Sequence, residues 1–257
     1  MNNFEIFSQL HYRETPFIIG NVWDVASARL LEQHQFRALA TSSAAIADTL
    51  GYADGEQMPF DRMLNIVRAI HENITLPLSV DMERGYAETI PGILENIDRL
   101  HDTGAVGFNI EDSLPGDQLR SVEAFQRIIS AIGNHLSRRN IQLFINARTD
   151  AFLLKSPDAL NESIKRAKAY SAAGAHGIFV PFVEKQDDIK AIATAISLPL
   201  HVLSVARLPN VDTLATAGVK RISMGSSLYR SMKRWIDRTV AQIQKENGFD
   251  AIFGDLK

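Results

Sequence analysis

Short, nearly continuous apolar runs recur along the chain. They are Phe17–Val22, Ala38–Ser42, Leu78–Glu83, Val106–Asp112, Gln142–Asp150, Gly177–Phe182, Leu200–Val205 and Val219–Met224. Runs of this length, apolar on both faces, predict eight parallel strands covered by helices. Helical spacing fills several of the intervals. Asp61–Glu72 carries Met63, Leu64, Val67 and Ile70 on one face, and Ile90–His101 carries Ile93, Leu94, Ile97 and Leu100. Ala159–Ala172 and Gln186–Ile196 follow the same rule, and Ser226–Lys245 reads as a long final helix. The segments around Gly104, Gly174 and Gly218 share one design: a helix ends, a left-handed glycine caps it, and a strand follows within a few residues. Pro77 and Pro199 mark two further helix-to-strand passages. Eight βα units predict an α/β fold, a (β/α)8 TIM-type barrel forming a single domain over residues 1–257. The alternative, a doubly wound open sheet, lacks its Gly-rich phosphate turn after the first run.

Composition narrows the class. A chain of 257 residues, 46% hydrophobic, can bury a large core without covalent staples. It has no cysteine, which excludes disulfides, zinc knuckles, iron–sulfur clusters and thiolate nucleophiles. The balance of 27 Lys and Arg against 30 Asp and Glu argues against nucleic-acid or membrane-surface partners recruited by bulk charge. The sequence Met1-Asn2-Asn3-Phe4-Glu5 has neither a basic nor an apolar leader character, and no apolar run approaches the ~18 residues a membrane span needs. The expectation from composition is a soluble, cytoplasmic globular protein and no more.

Barrel chemistry lies at the C-terminal ends of the strands. The third run ends Asp81-Met82-Glu83-Arg84-Gly85-Tyr86, and strand periodicity predicts that Asp81 and Glu83 share a face. The fourth ends Asn109-Ile110-Glu111-Asp112, and the fifth places Asn146, Arg148 and Asp150 on one face. A long loop, 43–59, adds Asp48, Asp54 and Glu56. Converging carboxylates repel one another unless a cation intervenes. With oxygen donors and no His or Cys at ligand spacing, Mg²⁺ (or Mn²⁺) is favoured over Zn²⁺. Arg148 is suited to a bidentate grip on a carboxylate or phosphonate. Among the histidines, His11, His34, His71, His101, His135 and His176 read as surface or helix-end residues. His201, within the seventh run, faces either the pocket or the core. Asp112 faces away from Glu111 and reads as the anchor of a neighbouring loop. Arg230, Lys233, Arg234 and Arg238 of the final helix read as solvated or inter-subunit.

At these residues the sequence resembles the isocitrate lyase/phosphoenolpyruvate mutase superfamily. The resemblance is carried by Asn21-Val-Trp-Asp24, Ala40-Thr-Ser-Ser-Ala44, Gly51-Tyr-Ala-Asp-Gly55, Asp81-Met-Glu-Arg-Gly-Tyr86, Asn109-Ile-Glu-Asp112 and Ala147-Arg-Thr-Asp-Ala151. It implies a barrel, commonly a tetramer exchanging its last helix between subunits, that makes or breaks C–C or C–P bonds beside a 2-oxo acid through a Mg²⁺-stabilised enolate. It implies further that Asp81 is the direct metal ligand, with Asp54, Glu83 and Glu111 holding the metal's waters. Ser42, Ser43 and Ala44 would bind the substrate carboxylate, and Arg148 would contact the oxo acid. Trp23 and Asp24 would line the pocket. Together with the residue reading, this makes Arg148, Ser42 and Glu111 the candidate catalytic residues. Trp23, Asp24, Ser42, Ser43, Ala44, Asp81, Arg148 and His201 are the candidate substrate contacts.

Two departures from the family pattern bear on the reaction. The lyases carry a Lys-Cys-Gly-His type motif after the fourth strand, where this chain reads Ser113-Leu-Pro-Gly-Asp-Gln-Leu-Arg120. Cleavage of isocitrate or methylisocitrate by a cysteine acid is therefore excluded. Phosphonopyruvate-handling members place a Lys and an Asn in that gate, and this chain has neither. The expected activity is cleavage of a C–C bond in a small 2-oxo or 2-hydroxy dicarboxylic acid, of the oxaloacetate type. The alternatives are a phosphonopyruvate mutase or hydrolase and a non-catalytic oxo-acid-binding barrel. The long last helix suits a homo-oligomer, dimer or tetramer.

Overall fold

The computed structural model describes residues 1–253; the last four positions of the expected domain lie outside the described residues. Eight parallel strands close into a barrel: β1 (Phe17–Val22), β2 (Leu39–Thr41), β3 (Leu78–Asp81), β4 (Gly107–Glu111), β7 (Phe144–Arg148), β8 (Gly177–Val180), β9 (Leu200–Leu203) and β10 (Val219–Ser223), paired in the order β1-β10-β9-β8-β7-β4-β3-β2. Between β4 and β7 a short antiparallel hairpin, β5 (Ser113–Leu114) with β6 (Gln118–Leu119), occupies the gate position. Every predicted strand is present, most of them shorter than the apolar run that announced it. Several runs overshoot because residues after the strand, such as Ser42, Met82, Glu83, Asp112, Thr149 and Asp150, stay buried in the loops.

The helices are α1 (Asn3–Leu10), α2 (Val25–Gln33), α3 (Ser43–Thr49), α4 (Phe60–His71), α5 (Ile90–His101), α6 (Val122–Arg139), α7 (Ala159–Ala172), α8 (Gln186–Ala195), α9 (Val211–Thr216), α10 (Ser227–Glu246) and α11 (Asp250–Phe253). The expected loop 43–59 begins with α3, because Ser42 caps it by accepting a bond from the amide of Ala45. The longest helix missed in the sequence is α6. Its Val122, Phe125, Ile128, Ile129, Ile132 and Leu136 are buried at helical spacing, so the signal was present. Gly104, Gly174 and Gly218 adopt the predicted left-handed conformation, with φ of +86°, +99° and +93°. Among the described residues no helix is long and apolar enough to cross a membrane.

Alternation along the strands sorts the core into two clusters. Val80, Phe108, Ile110, Ile145, Val180 and Val202 point outward to the helices. Phe17, Ile19, Ala38, Ala40 and Phe144 point inward, and Phe7 and Leu10 of α1 plug the N-terminal end of the barrel against them. Sealing that end leaves the C-terminal end as the open mouth. His11, at the end of α1, is a helix-end residue as expected but not a surface one: it is 1% exposed and stacks on Phe144 at 4.1 Å.

Burial, helped by the Arg221 charge, lowers the His11 pKa to about 3. Burial also lowers His201, again with Arg221 adding to the effect. Each folded-state value lies below the unfolded one near 6.5, so between these limits the unfolded chain binds more protons and stability falls as pH falls. Unfolding by urea at pH 5 is expected to need less denaturant than at pH 7. The variant His11→Gln should lessen that slope, by up to about 1.4 kcal/mol per pH unit at the acid end of this range. An unchanged slope in the variant would contradict the assignment.

Candidate active site

The mouth holds a cavity of about 500 Å³ lined on one side by Ser42, Ser43, Ala44, Asp54, Asp81, Asn109 and Arg148. Asp81 is the last residue of β3, and its amide donates to Thr41 Oγ1 at 3.0 Å. Ser43 Oγ donates to Asp81 Oδ2 at 2.8 Å, and Asn109 Nδ2 lies 3.5 Å from Oδ1. A polar chain continues inward: Asn146 Nδ2 donates to Asn109 Oδ1 at 2.7 Å and lies 2.9 Å from His201 Nδ1. These bonds fix one carboxylate rotamer at the centre of the mouth.

Glu83 reaches the same region by a route that strand alternation does not predict. The strand stops at Asp81, and Glu83 and Tyr86 take left-handed φ values of +48° and +54°. Such conformations cost roughly 1–2 kcal/mol each for non-glycine residues and persist only where neighbours enforce them. Glu56 enforces these: its Oε1 accepts from the amides of Arg84 and Tyr86 at 2.8 and 2.7 Å. Asn96 donates to the carbonyls of Gly85 and Tyr86, both at 3.0 Å. The turn buries Glu83 and lets it accept from the Tyr86 hydroxyl at 2.8 Å, while the Tyr86 ring packs on Phe60.

Arg148 ends β7 with its guanidinium fully directed. It makes a two-pronged contact with Asp150, at 2.7 and 3.1 Å, and pairs with Glu111 at 2.9 Å. Its face lies 5.7 Å from the Phe179 ring. Burial works against the charge, but Glu111, Asp150 and Asp81 outweigh it and raise the pKa. Glu111 also accepts from Ser113 Oγ at 2.6 Å. Asp112 is the loop anchor that the sequence suggested. It is fully buried and accepts from the Asp150 amide at 3.0 Å, from Arg166 at 2.9 Å and from Tyr170 at 2.6 Å. Asp112 therefore holds Asp150, which holds Arg148.

Electrostatically the mouth is acidic and crowded. Burial raises the pKa of Asp81, with Glu111 and Asp54 adding to the rise while Arg148 opposes it. Burial raises Glu83 to about 8, and the charge of Asp81 adds to that. A divalent cation is the natural counter-charge. Among the described residues no three Asp, Glu or His side chains converge closely enough to ligate a cation among themselves. The oxygen donors present, Asp81 first among them, are of the chemical type Mg²⁺ takes, with water completing its shell.

Not all the candidate residues meet in the cavity. Asp24 caps α2, accepting from the Ser27 amide at 2.7 Å, and Trp23 packs on Tyr229 at 5.1 Å between ring centres. Neither lines the mouth cavity. His201 sits below it in the barrel interior, stacked on Phe179 at 3.7 Å. Of the acidic residues in 43–59 only Asp54 lines it, since Asp48 bonds Tyr229 and Lys233 and Glu56 holds the turn at Arg84. The opposite wall was missed in the sequence. It is formed by Ser204–Ala206, Ser223–Ser227 and the side chains of Arg230 and Arg234. A second omission is Arg221, fully buried inside the barrel with Phe7 under its guanidinium; nothing in the periodicity separates an inward Arg from an outward one.

The profile of the phosphoenolpyruvate phosphomutase family matches residues 7–244. Among solved structures, a "putative phosphonomutase" from Burkholderia cenocepacia J2315 is 37% identical, with TM-score 0.89, over 93% of this chain and 99% of its own. An oxaloacetate decarboxylase of Paraburkholderia xenovorans (strain LB400) is 28% identical over 86% of this chain and 75% of its own. The fold is shared with a phosphonopyruvate hydrolase solved with oxalate and Mg²⁺, at TM-score 0.87 and 20% identity, over 100% of this chain and 92% of that one.

Proposed function

The chain belongs to the phosphoenolpyruvate phosphomutase family, and from that membership we propose that it is a Mg²⁺-dependent carbon–carbon lyase acting on a small 2-oxo or 2-hydroxy dicarboxylic acid. The observation that carries the reading is the juxtaposition of Arg148 with Asp81, Glu83 and Glu111 beside the Ser42–Ala44 turn. A cation held there supplies a Lewis acid for the substrate's 2-oxo oxygen.

The protein's own contributions follow from the geometry. The Ser42–Ala44 wall receives the substrate's C1 carboxylate, and Ser43 keeps Asp81 in place for the cation. Two of the five Arg148 N–H groups are engaged by Asp150 and a third faces Glu111, so donors remain for the oxo acid. When the C3–C4 bond of oxaloacetate breaks, its electron pair enters C2–C3 and negative charge gathers on the oxygen at C2. Arg148, preorganised by two carboxylates and a ring face, stabilises that oxyanion. Carbon dioxide leaves, and C3 takes a proton from water to give pyruvate. No cysteine acid is required.

The gate hairpin offers Gln118 and Arg120 rather than the Lys and Asn expected for C–P chemistry. The likeness to a "putative phosphonomutase" keeps C–P chemistry as the second reading. Product analysis with Mg²⁺ across oxaloacetate, 2-methylmalate and related acids tests the proposal, and phosphorus NMR with phosphonopyruvate tests the second reading. Carbon–carbon turnover that needs both Asp81 and the cation supports the lyase; its absence from every acid tried refutes it. An assembly of identical subunits belongs to the same reading. Leu228, Met232, Trp235, Ile236 and Val240 form an exposed apolar stripe on α10, which supports contact with a second copy.

A further inference from the structure

The mouth cavity has two ends of opposite character. One carries Asp81, Asp54 and Arg148. The other carries Arg230 and Arg234, four residues apart on α10 and so on the same helix face. Within the described residues neither of these two guanidiniums is paired with a carboxylate; each donates only to a serine of its own helix, Ser227 at 3.3 Å and Ser231 at 3.0 Å. Their neighbours on the helix are fully engaged. The Tyr229 hydroxyl and the Lys233 ammonium both donate to Asp48 of α3, the helix that begins at the Ser42–Ala44 turn. That clamp sets the rotation of the first turns of α10 and turns Arg230 and Arg234 toward the cavity. Two unpaired cations therefore overhang a site whose other end is built for a 2-oxo acid.

From this arrangement we propose that Arg230 and Arg234 form a distal anion subsite that selects 2-oxo acids bearing a second carboxylate. The inference rests on the oxo-acid reading of the other end, and names the residues that distinguish a dicarboxylate from a monocarboxylate. Size agrees: about 500 Å³ leaves ample room beyond the few atoms of the oxo-acid head. So does chemistry, because guanidinium pairs suit carboxylates and are attracted to them at the rim. A carboxylate held here is recognised in the ground state. Charge drains from a departing carboxylate as carbon dioxide forms, so for such a substrate the pair lowers KM and kcat together, while for a diacid whose distal carboxylate stays in place it lowers KM alone.

The test is calorimetry on the Mg²⁺-loaded protein with oxalate, and with 2-oxo diacids of four to six carbons beside the monoacids of equal length. Wild type is expected to bind at least one diacid roughly tenfold more tightly than its matching monoacid. In R230Q/R234Q that advantage disappears while oxalate affinity and thermal stability stay unchanged; R230K/R234K retains part of it. A diacid advantage absent from wild type, or persisting in the Gln variant, overturns the subsite. Failure of wild type to bind oxalate or any oxo acid would instead refute the underlying reading of the site.

Discussion

Asp81→Asn is expected to lower kcat by roughly a thousandfold, because one missing charge removes about 4 kcal/mol of the stabilisation a divalent cation gives to a developing oxyanion. Asp81 is the carboxylate on which the rest of the mouth converges. Ser43 and Asn109 orient it, the Thr41 hydroxyl holds its amide, and Asn146 and His201 extend the chain behind Asn109. Asn preserves the size and the Ser43 contact, so the barrel should remain folded. The loss should appear in turnover and in cation affinity together. Steady-state kinetics at saturating Mg²⁺, with a melting curve as control, would check this. A variant with near-wild-type kcat would remove Asp81 from the mechanism.

Asp112→Ala is expected to lower the free energy of unfolding by about 3 kcal/mol, because it takes from the buried guanidinium of Arg166 one of its two carboxylates and leaves the Tyr170 hydroxyl without its acceptor. Asp112 pairs with Nη1 of Arg166, whose Nε is held by Glu162 at 2.7 Å, and it also accepts from Tyr170 and from the Asp150 backbone. On a chain of this size the melting temperature should drop by roughly 10 °C. Activity should fall more than stability at 25 °C would explain, since Asp150 loses its anchor and Arg148 its fixed pose. Adding Arg166→Met removes the stranded charge and should restore part of the stability without restoring activity. If the double variant is no more stable than the single, burial of a guanidinium left with Glu162 alone is not the cause.

These two residues show where sequence pattern carries information about structure. Asp112 and Glu111 are adjacent, and strand alternation alone sent one to the mouth and the other to the wall, as the structure has them. The strands themselves were legible because a strand covered on both faces has almost no polar interruption. The first-turn caps were harder: Asp24 looked like a pocket residue, yet its carboxylate is spent on the Ser27 amide at the start of α2. Glu83 reached the mouth for a reason other than the predicted one. Periodicity placed it beside Asp81 on a strand, whereas a left-handed turn held by Glu56 and Asn96 does so. Such a turn depends on Glu56 about thirty residues upstream as well as on Asn96 downstream, and no local window contains both. The second wall of the cavity was hidden for a related reason. Arg230 and Arg234 look like any solvated helix cations until Asp48 is seen to clamp Tyr229 and Lys233 beside them.

The most direct test of the central claim is a calorimetric titration of oxalate, a mimic of the enolate, into the protein with and without Mg²⁺. One site per chain is expected, appearing only with the cation and lost in Asp81→Asn. Oxalate that binds equally well without the cation, or not at all with it, would contradict the placing of a cation-assisted oxo-acid site at Asp81 and Arg148.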